Sequence, residues 1–210
     1  MATLLHLDSS ADPSGSVSRH LTARFAAGWA ALGHDTVRRD LFVDQPPHLP
    51  SNVLHWAPEL RLVGDEVDPE SARYQEELVG ELLAADVVLV GAPMYNWSVP
   101  STLKAWIDWV HVPGMTVAGA PGDPAPLGGK PIIIASGRGA SYGPDSGNED
   151  HQLPALRQLF AGSMQMTVHP VLAELTLTDR VPALAEYAPQ RAASLAAAEA
   201  EIDRLLDELG

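Results

Sequence analysis

The chain has 210 residues, a formal net charge of −14 and no cysteine. The missing cysteines exclude disulfides, thiolate metal sites and thiol catalysis, and the negative charge makes nucleic acid and anionic membranes poor partners. The length suits one domain, residues 1–210, with a full core.

The start, MATLLHLDSS, has no basic region ahead of its short apolar run, and no apolar run reaches membrane-spanning length. A cytoplasmic protein without a signal peptide is expected. Thr3–Leu7 reads as the first strand and ends at Asp8, Ser9 and Ser10. The turn-rich ADPSGSVSR follows, and Leu21, Phe25, Trp29 and Leu32 then recur on one face of a helix that Gly33 ends. Asp35–Asp40 has Val37 as its one strong strand former; it is read as a strand because the alternation of elements requires one.

The proline-rich stretch Leu41–Pro69 is long for a loop, with a helical turn expected near Pro58–Val63, and such loops are usually functional or cover an interface. Ser71–Leu83 is a helix with Tyr74, Leu78 and Leu82 at its apolar positions. Val87–Val90 is a continuous apolar run, as in a strand buried on both faces of a parallel sheet. Gly91 and Pro93 break it, Met94–Trp97 form a loop, and Pro100 opens a helix carrying Leu103, Trp106, Ile107 and Val110. Val112–Leu127 is a second irregular excursion, Pro131–Ala135 a strand ending in SGRGASYG, Gln152–Phe160 a helix, Met166–Leu175 a strand and Pro182–Leu209 a long helix.

Strands alternating with helices specify a parallel sheet with helices on both faces. The pattern matches a flavodoxin-like α/β fold: a doubly wound five-stranded parallel sheet in the order 2-1-3-4-5, whose ligand loops follow the first, third and fourth strands.

Those three loops carry the candidate site. The first holds Ser10, Ser16, Val17 and Ser18 at the start of a helix, where unpaired N–H groups and the positive dipole end bind phosphate without lysine; Arg19 stands ready to add charge. Each serine taken alone is better read as a cap or turn residue. There is no P-loop and no G-x-G-x-x-G, which argues against a nucleoside triphosphate or a Rossmann dinucleotide. The second loop, Met94, Tyr95, Asn96 and Trp97, offers a flat apolar wall with polar handles for an aromatic ligand. The third is Ser136, Gly137, Arg138 and Gly139. The acidic group Asp145, Glu149, Asp150 and His151 has no recognised metal spacing and reads as a solvated loop.

The segment PMYNWSVPSTLKAWIDWV resembles that of the FMN-dependent NADH:quinone oxidoreductases, also called FMN-dependent NADH-azoreductases, and the resemblance runs over nearly the whole chain. It implies FMN as cofactor, with phosphate at Ser10 and Ser16–Ser18, the isoalloxazine bordered by Met94–Trp97, and donors near its N1 and O2 from Ser136–Gly139. It implies NADH (or NADPH) as co-substrate, quinones or azo compounds as acceptors by a ping-pong cycle, no side-chain nucleophile or base, and a homodimer, for which Trp56, Trp106 and Trp109 offer aromatic surface. Two departures stand out: an extra glycine, Gly137, before Arg138, and the small Val117 where the family often has an aromatic, which implies a wider pocket. A flavodoxin-type electron carrier is the alternative; the threonine- and glycine-rich phosphate loop of flavodoxins is absent. A flavin-free relative is the third reading.

Overall fold

The computed structural model describes residues 1–143 and 146–210. Five parallel strands lie in the order β2-β1-β3-β4-β5: β1 Thr3–Asp8, β2 Asp35–Asp40, β3 Val87–Gly91, β4 Pro131–Gly137 and β5 Thr167–Ala173. The helices are α1 Val17–Ala31, α2 Pro69–Ala84, α3 Ser101–Val110, α4 Leu153–Arg157 and α5 Ala188–Leu209. The expected fold class and strand order are observed. The order reverses between β1 and β3, so the loops after these strands diverge at their carboxyl ends and leave a crevice there.

Alternate residues of the central strands face two cores. Val88, Val90, Ile132 and Ile134 pack against α2, α3 and α4. Leu4, Leu89, Ile133 and Ala135 pack against Leu21, Phe25 and Trp29 of α1 and Ala198, Ile202 and Leu205 of α5. Full burial of each such aliphatic side chain stabilises by about 1.5–3 kcal/mol. The edge strand β2 has almost no apolar residues because it needs none: Arg38 bonds to Asp8 at 2.9 Å and Arg39 pairs with Glu77 and Glu81 of α2. Charges on an edge also discourage pairing with another chain.

Some boundaries differ from the sequence reading. Leu32 caps α1 and is 54% exposed instead of extending its apolar face. Pro100 precedes α3 as its N-cap rather than standing in its first turn. Helix α4 is short and continues as a π-helical turn, Gln158–Ser163. The last helix does not run from Pro182; Pro182–Tyr187 is a 3-10 turn, and α5 begins where Pro189, which lacks an N–H, can be accommodated in its first turn. Strand β5 stops at Ala173, and Leu175 has φ 61°, outside the extended region. Trp106 and Trp109 are internal, each 1% exposed, so of the three tryptophans expected at an interface only Trp56, 44% exposed, reaches the surface. Among the described residues no helix is long and apolar enough to cross a membrane.

At the end of β1, buried Asp8 accepts from Thr22 of α1 at 2.8 Å and Arg38 of β2 at 2.9 Å. His6 Nε2 lies 3.2 Å from the same carboxylate, close enough for attraction but without hydrogen-bond alignment. Burial by itself raises the Asp8 pKa; His6, Arg38 and Thr22 together outweigh it and hold the carboxyl well below the usual carboxylate range. A depressed folded-state pKa stabilises the fold above the unfolded value and loses that contribution as pH falls through the folded one. Asp8→Asn is therefore expected to cost about 2 kcal/mol at neutral pH. In urea titrations the gap between parent and variant should narrow below about pH 4; a gap independent of pH refutes this account of Asp8.

Candidate functional site

The first loop is positioned by Arg19. Its Nε and Nη2 donate to the Ser10 carbonyl at 3.3 and 2.8 Å, and Nη1 and Nη2 bind both oxygens of Asp40 at 2.7 Å. This guanidinium is engaged inside the protein, so Arg19 holds the loop in shape and adds no charge to a ligand, contrary to the sequence reading. Ser9 is likewise structural, its hydroxyl donating to the Gly91 carbonyl at 2.6 Å. Ser16 is the N-cap of α1, its hydroxyl accepting from Arg19 N–H and lying 3.0 Å from the Ser18 hydroxyl. The N–H groups of Val17 and Ser18 fall in the first helical turn, which has no intrahelical acceptors for them.

The second loop is a tight reversal. Tyr95 and Ser98 exchange two backbone hydrogen bonds of 3.0 Å, with Asn96 at φ 49° and Trp97 at φ 63° between them. Two positive φ values in a two-residue loop are those of a type I′ turn. Asparagine tolerates that conformation; tryptophan does so at a cost. The result is an exposed indole, 57% accessible, beside half-buried Met94 and Tyr95. The Tyr95 hydroxyl accepts from Ala11 N–H at 3.0 Å and lies 3.3 Å from Ser10 Oγ, so this ring spans the gap to the first loop.

In the third loop the glycines do the work. A Cβ on Gly137 would lie 3.1 Å from Val17 Cβ and 3.5 Å from Ser18 N, so only glycine lets this loop approach the start of α1 so closely. A Cβ on Gly139 would meet Leu177 at 2.8 Å. The extra glycine thus serves the junction between the loops.

The three loops enclose a cleft of about 740 Å³. Ser10, Ser16, Val17, Ser18, Met94, Tyr95, Asn96, Trp97, Gly137 and Gly139 all line it. Ser136 and Arg138 do not; they lie beneath. Ser136 Oγ donates to Gln152 at 2.9 Å, and Arg138, 1% exposed, donates to Asp150 at 2.8 Å. Of the acidic group set aside as a metal site, Asp150 caps α4 through Gln152 N–H and Leu153 N–H, and Asp145 lies outside the described residues. Val117 is away from the cleft, packed against the core on the α2–α3 side.

Two contributors are absent from the sequence reading. The first is Gln152, 1% exposed, whose amide donates to the carbonyls of Ala92, Pro93 and Ser98 at 3.1, 3.1 and 3.2 Å. It pins the second loop from below, and nothing in its local sequence marks it. The second is the segment after β5, with Thr176, Leu177, Asp179 and Arg180, which lines the cleft together with Arg191 of α5. It is zipped to the third loop: Thr176 N–H and hydroxyl donate to the Arg138 carbonyl at 2.9 and 3.0 Å, and Leu177 N–H to Gly139 at 3.2 Å.

A cleft at the crevice of a 2-1-3-4-5 sheet, built on the loops after β1, β3 and β4, defines a flavodoxin-like protein. A family model described as "Flavodoxin-like fold" matches residues 2–206, and the chain belongs to that family. Within it, the chain belongs with the FMN-dependent NADH:quinone oxidoreductases. A protein of that name from Kineococcus radiotolerans is 45% identical over 202 residues, covering 94% of this chain and 95% of the relative. One from Frankia casuarinae is 39% identical over 210 residues, covering 96% and 98%. The fold is shared with an azoreductase from Bacillus anthracis str. Sterne, TM-score 0.79 at 20% identity over 99% of this chain and 100% of that one. It is also shared with an FMN-dependent NADH-azoreductase from Bacillus anthracis str. Ames Ancestor in complex with FMN, TM-score 0.78 at 19% identity, covering 100% and 99%.

Gln152→Leu removes an amide NH2 shared among three loop carbonyls, two of them buried, and is expected to lower stability by about 2–4 kcal/mol. Denaturant unfolding measures this. A loss below about 0.5 kcal/mol, the level of an ordinary surface change, contradicts the pinning role.

Proposed function

We propose that this protein is a cytoplasmic FMN-dependent oxidoreductase that transfers two electrons from NADH, or NADPH, to quinones and azo compounds. One observation carries the reading: a single cleft joins a helix start able to hold a phosphate to a strained turn that presents an aromatic wall. The cofactor fits this chain on the residues present. The first-turn N–H groups of Val17 and Ser18, with the hydroxyls of Ser10, Ser16 and Ser18, supply the donors an ester phosphate needs in a cleft without lysine. Met94 and Trp97 would border the flat ring, and the N–H groups of Asn96 and Trp97, which the turn itself does not use, would be available to donate to it. Gly137 and Gly139 line the cleft without a side chain and let the third loop pack against the start of α1 and Leu177.

Bound there, FMN supplies the redox chemistry, taking two electrons from the nicotinamide and giving them to the acceptor. The chain's own work is to bind, orient and screen. Among the lining residues we assign no nucleophile and no general base. We infer a ping-pong order, in which donor and acceptor use one after the other the exposed rim at Asn96, Trp97 and Leu177. The functional unit is a homodimer. Its support is the Leu41–Pro69 excursion, which exposes Trp56 at 44%, Leu62 at 77% and Val63 at 108% on neighbouring turns, apolar surface of the kind enriched in interface cores.

Flavin released by heat from the purified protein should chromatograph as FMN, and varying NADH and a quinone together should give parallel reciprocal plots. A protein that carries FMN yet oxidises no NADH belongs with the electron carriers instead. Changing Ser16 and Ser18 together to Ala should weaken FMN binding by about 1–3 kcal/mol, through lost hydrogen bonds to a charged group; an unchanged dissociation constant places the phosphate elsewhere. Light scattering should give twice the 22.3 kDa chain mass. A monomer at micromolar concentration rules out the dimer.

A further inference from the structure

The phosphate of FMN is a dianion, and the protein around it has a net charge of −14. The two arginines buried beneath the cleft do not neutralise it: Arg19 is held by Asp40 and the Ser10 carbonyl, and Arg138 by Asp150. The charged groups that line the cleft are Asp12, Asp179, Arg180 and Arg191, and both cations come from the segment after β5 and the start of α5.

Arg180 is exposed and, among the described residues, forms no ion pair within salt-bridge distance. It lines the same cleft as Asp12 of the first loop. The Asp12 carboxyl is held below the usual range by the Gly15 and Ser14 N–H groups, and Arg180 adds to this across the cleft. Arg191 gives Nη2 to Asp179 at 2.5 Å, while its Nε is buried without a partner among the described residues. A buried donor left without an acceptor is costly unless something completes it, and this one sits on a side chain lining the cleft. The segment is rigidly placed: Thr176 and Leu177 are bonded to the third loop, and Arg180 N–H donates to Leu177 at 2.9 Å.

We propose that Arg180 and Arg191 form the cationic half of the phosphate site, complementing the α1 N-terminus, and that Asp12, which lines the same cleft, opposes the phosphate by like charge. The inference rests on the FMN reading and deepens it. It makes the segment after β5, with the start of α5, the element that selects a phosphorylated flavin over riboflavin, which is the same ring and ribityl chain without the phosphate. It also gives Asp12 an opposing role, since its carboxylate repels the phosphate.

The test compares dissociation constants for FMN and riboflavin, by flavin fluorescence, in the full chain freed of flavin by dialysis. Arg180→Gln should weaken FMN about tenfold and leave riboflavin within about twofold, since only screened long-range terms reach the ring. Asp12→Asn keeps the amide oxygen that caps Gly15 and should tighten FMN about threefold, again without moving riboflavin. Retained riboflavin binding shows that each variant is folded. Added salt should weaken FMN less in Arg180→Gln than in the parent. Equal shifts for both flavins, or no shift for either, overturn the proposal. So does an unchanged FMN constant with a raised KM for NADH, which assigns Arg180 to the phosphates of the nicotinamide dinucleotide. A parent chain that binds neither flavin refutes the FMN reading itself, whereas a parent that prefers FMN beside an unaffected Arg180→Gln removes only this inference.

Discussion

Everything at the carboxyl edge of the sheet depends on one buried charge arrangement. Arg19, in the first turn of α1, reaches back to the Ser10 carbonyl and sideways to both oxygens of Asp40 at the end of β2. Asp8, at the end of β1, lies 3.5 Å from the same guanidinium and binds Thr22 and Arg38. Two strand ends, one helix start and one loop carbonyl are thus fixed to a common point. A guanidinium suits this place because its planar fork meets a carboxylate and a carbonyl at once. Asp8 is buried and Arg19 and Asp40 are largely covered, whereas Arg38 is half exposed, so removing Arg19 leaves covered carboxylates uncompensated and costly.

From that point the loops secure one another in sequence. Parallel strands end with carbonyls aimed at the crevice, and each needs a donor. Gly91 receives Ser9, Gly137 receives Met94 N–H at 3.0 Å, Arg138 receives Thr176, and Gln152 serves three carbonyls of the second loop. With its neighbours fixed in this way, the second loop can hold Trp97 at a positive φ that an isolated chain would avoid. The strain lies where an aromatic surface has to be presented to solvent.

Charge follows a matching division. The arginines that shape the cleft are buried and already paired, whereas those left to face a ligand sit on the segment after β5. A strongly acidic protein can then bind anionic nucleotides by local donors and local cations while its distant surface stays negative.

The sequence by itself determined the layers and marked the first two loops as lining one site. Apolar runs such as Val87–Val90 and the helical spacing of Leu103, Trp106, Ile107 and Val110 encode burial directly, and burial is what parallel strands and covering helices require. Ser16–Ser18 and Met94–Trp97 were readable because they are contiguous and lie between recognisable elements. What only the tertiary structure decided is which polar side chain meets which partner across long separations. Arg19 was turned from ligand to scaffold by Asp40, Ser136 and Arg138 were sunk beneath the cleft by Gln152 and Asp150, and Arg180 and Arg191 were brought to its rim from the far end of the chain. Hydrophobic burial is a property a residue carries with it and so leaves a periodic trace in sequence. A hydrogen bond or ion pair exists only between two placed groups, and their placement is set by the fold as a whole.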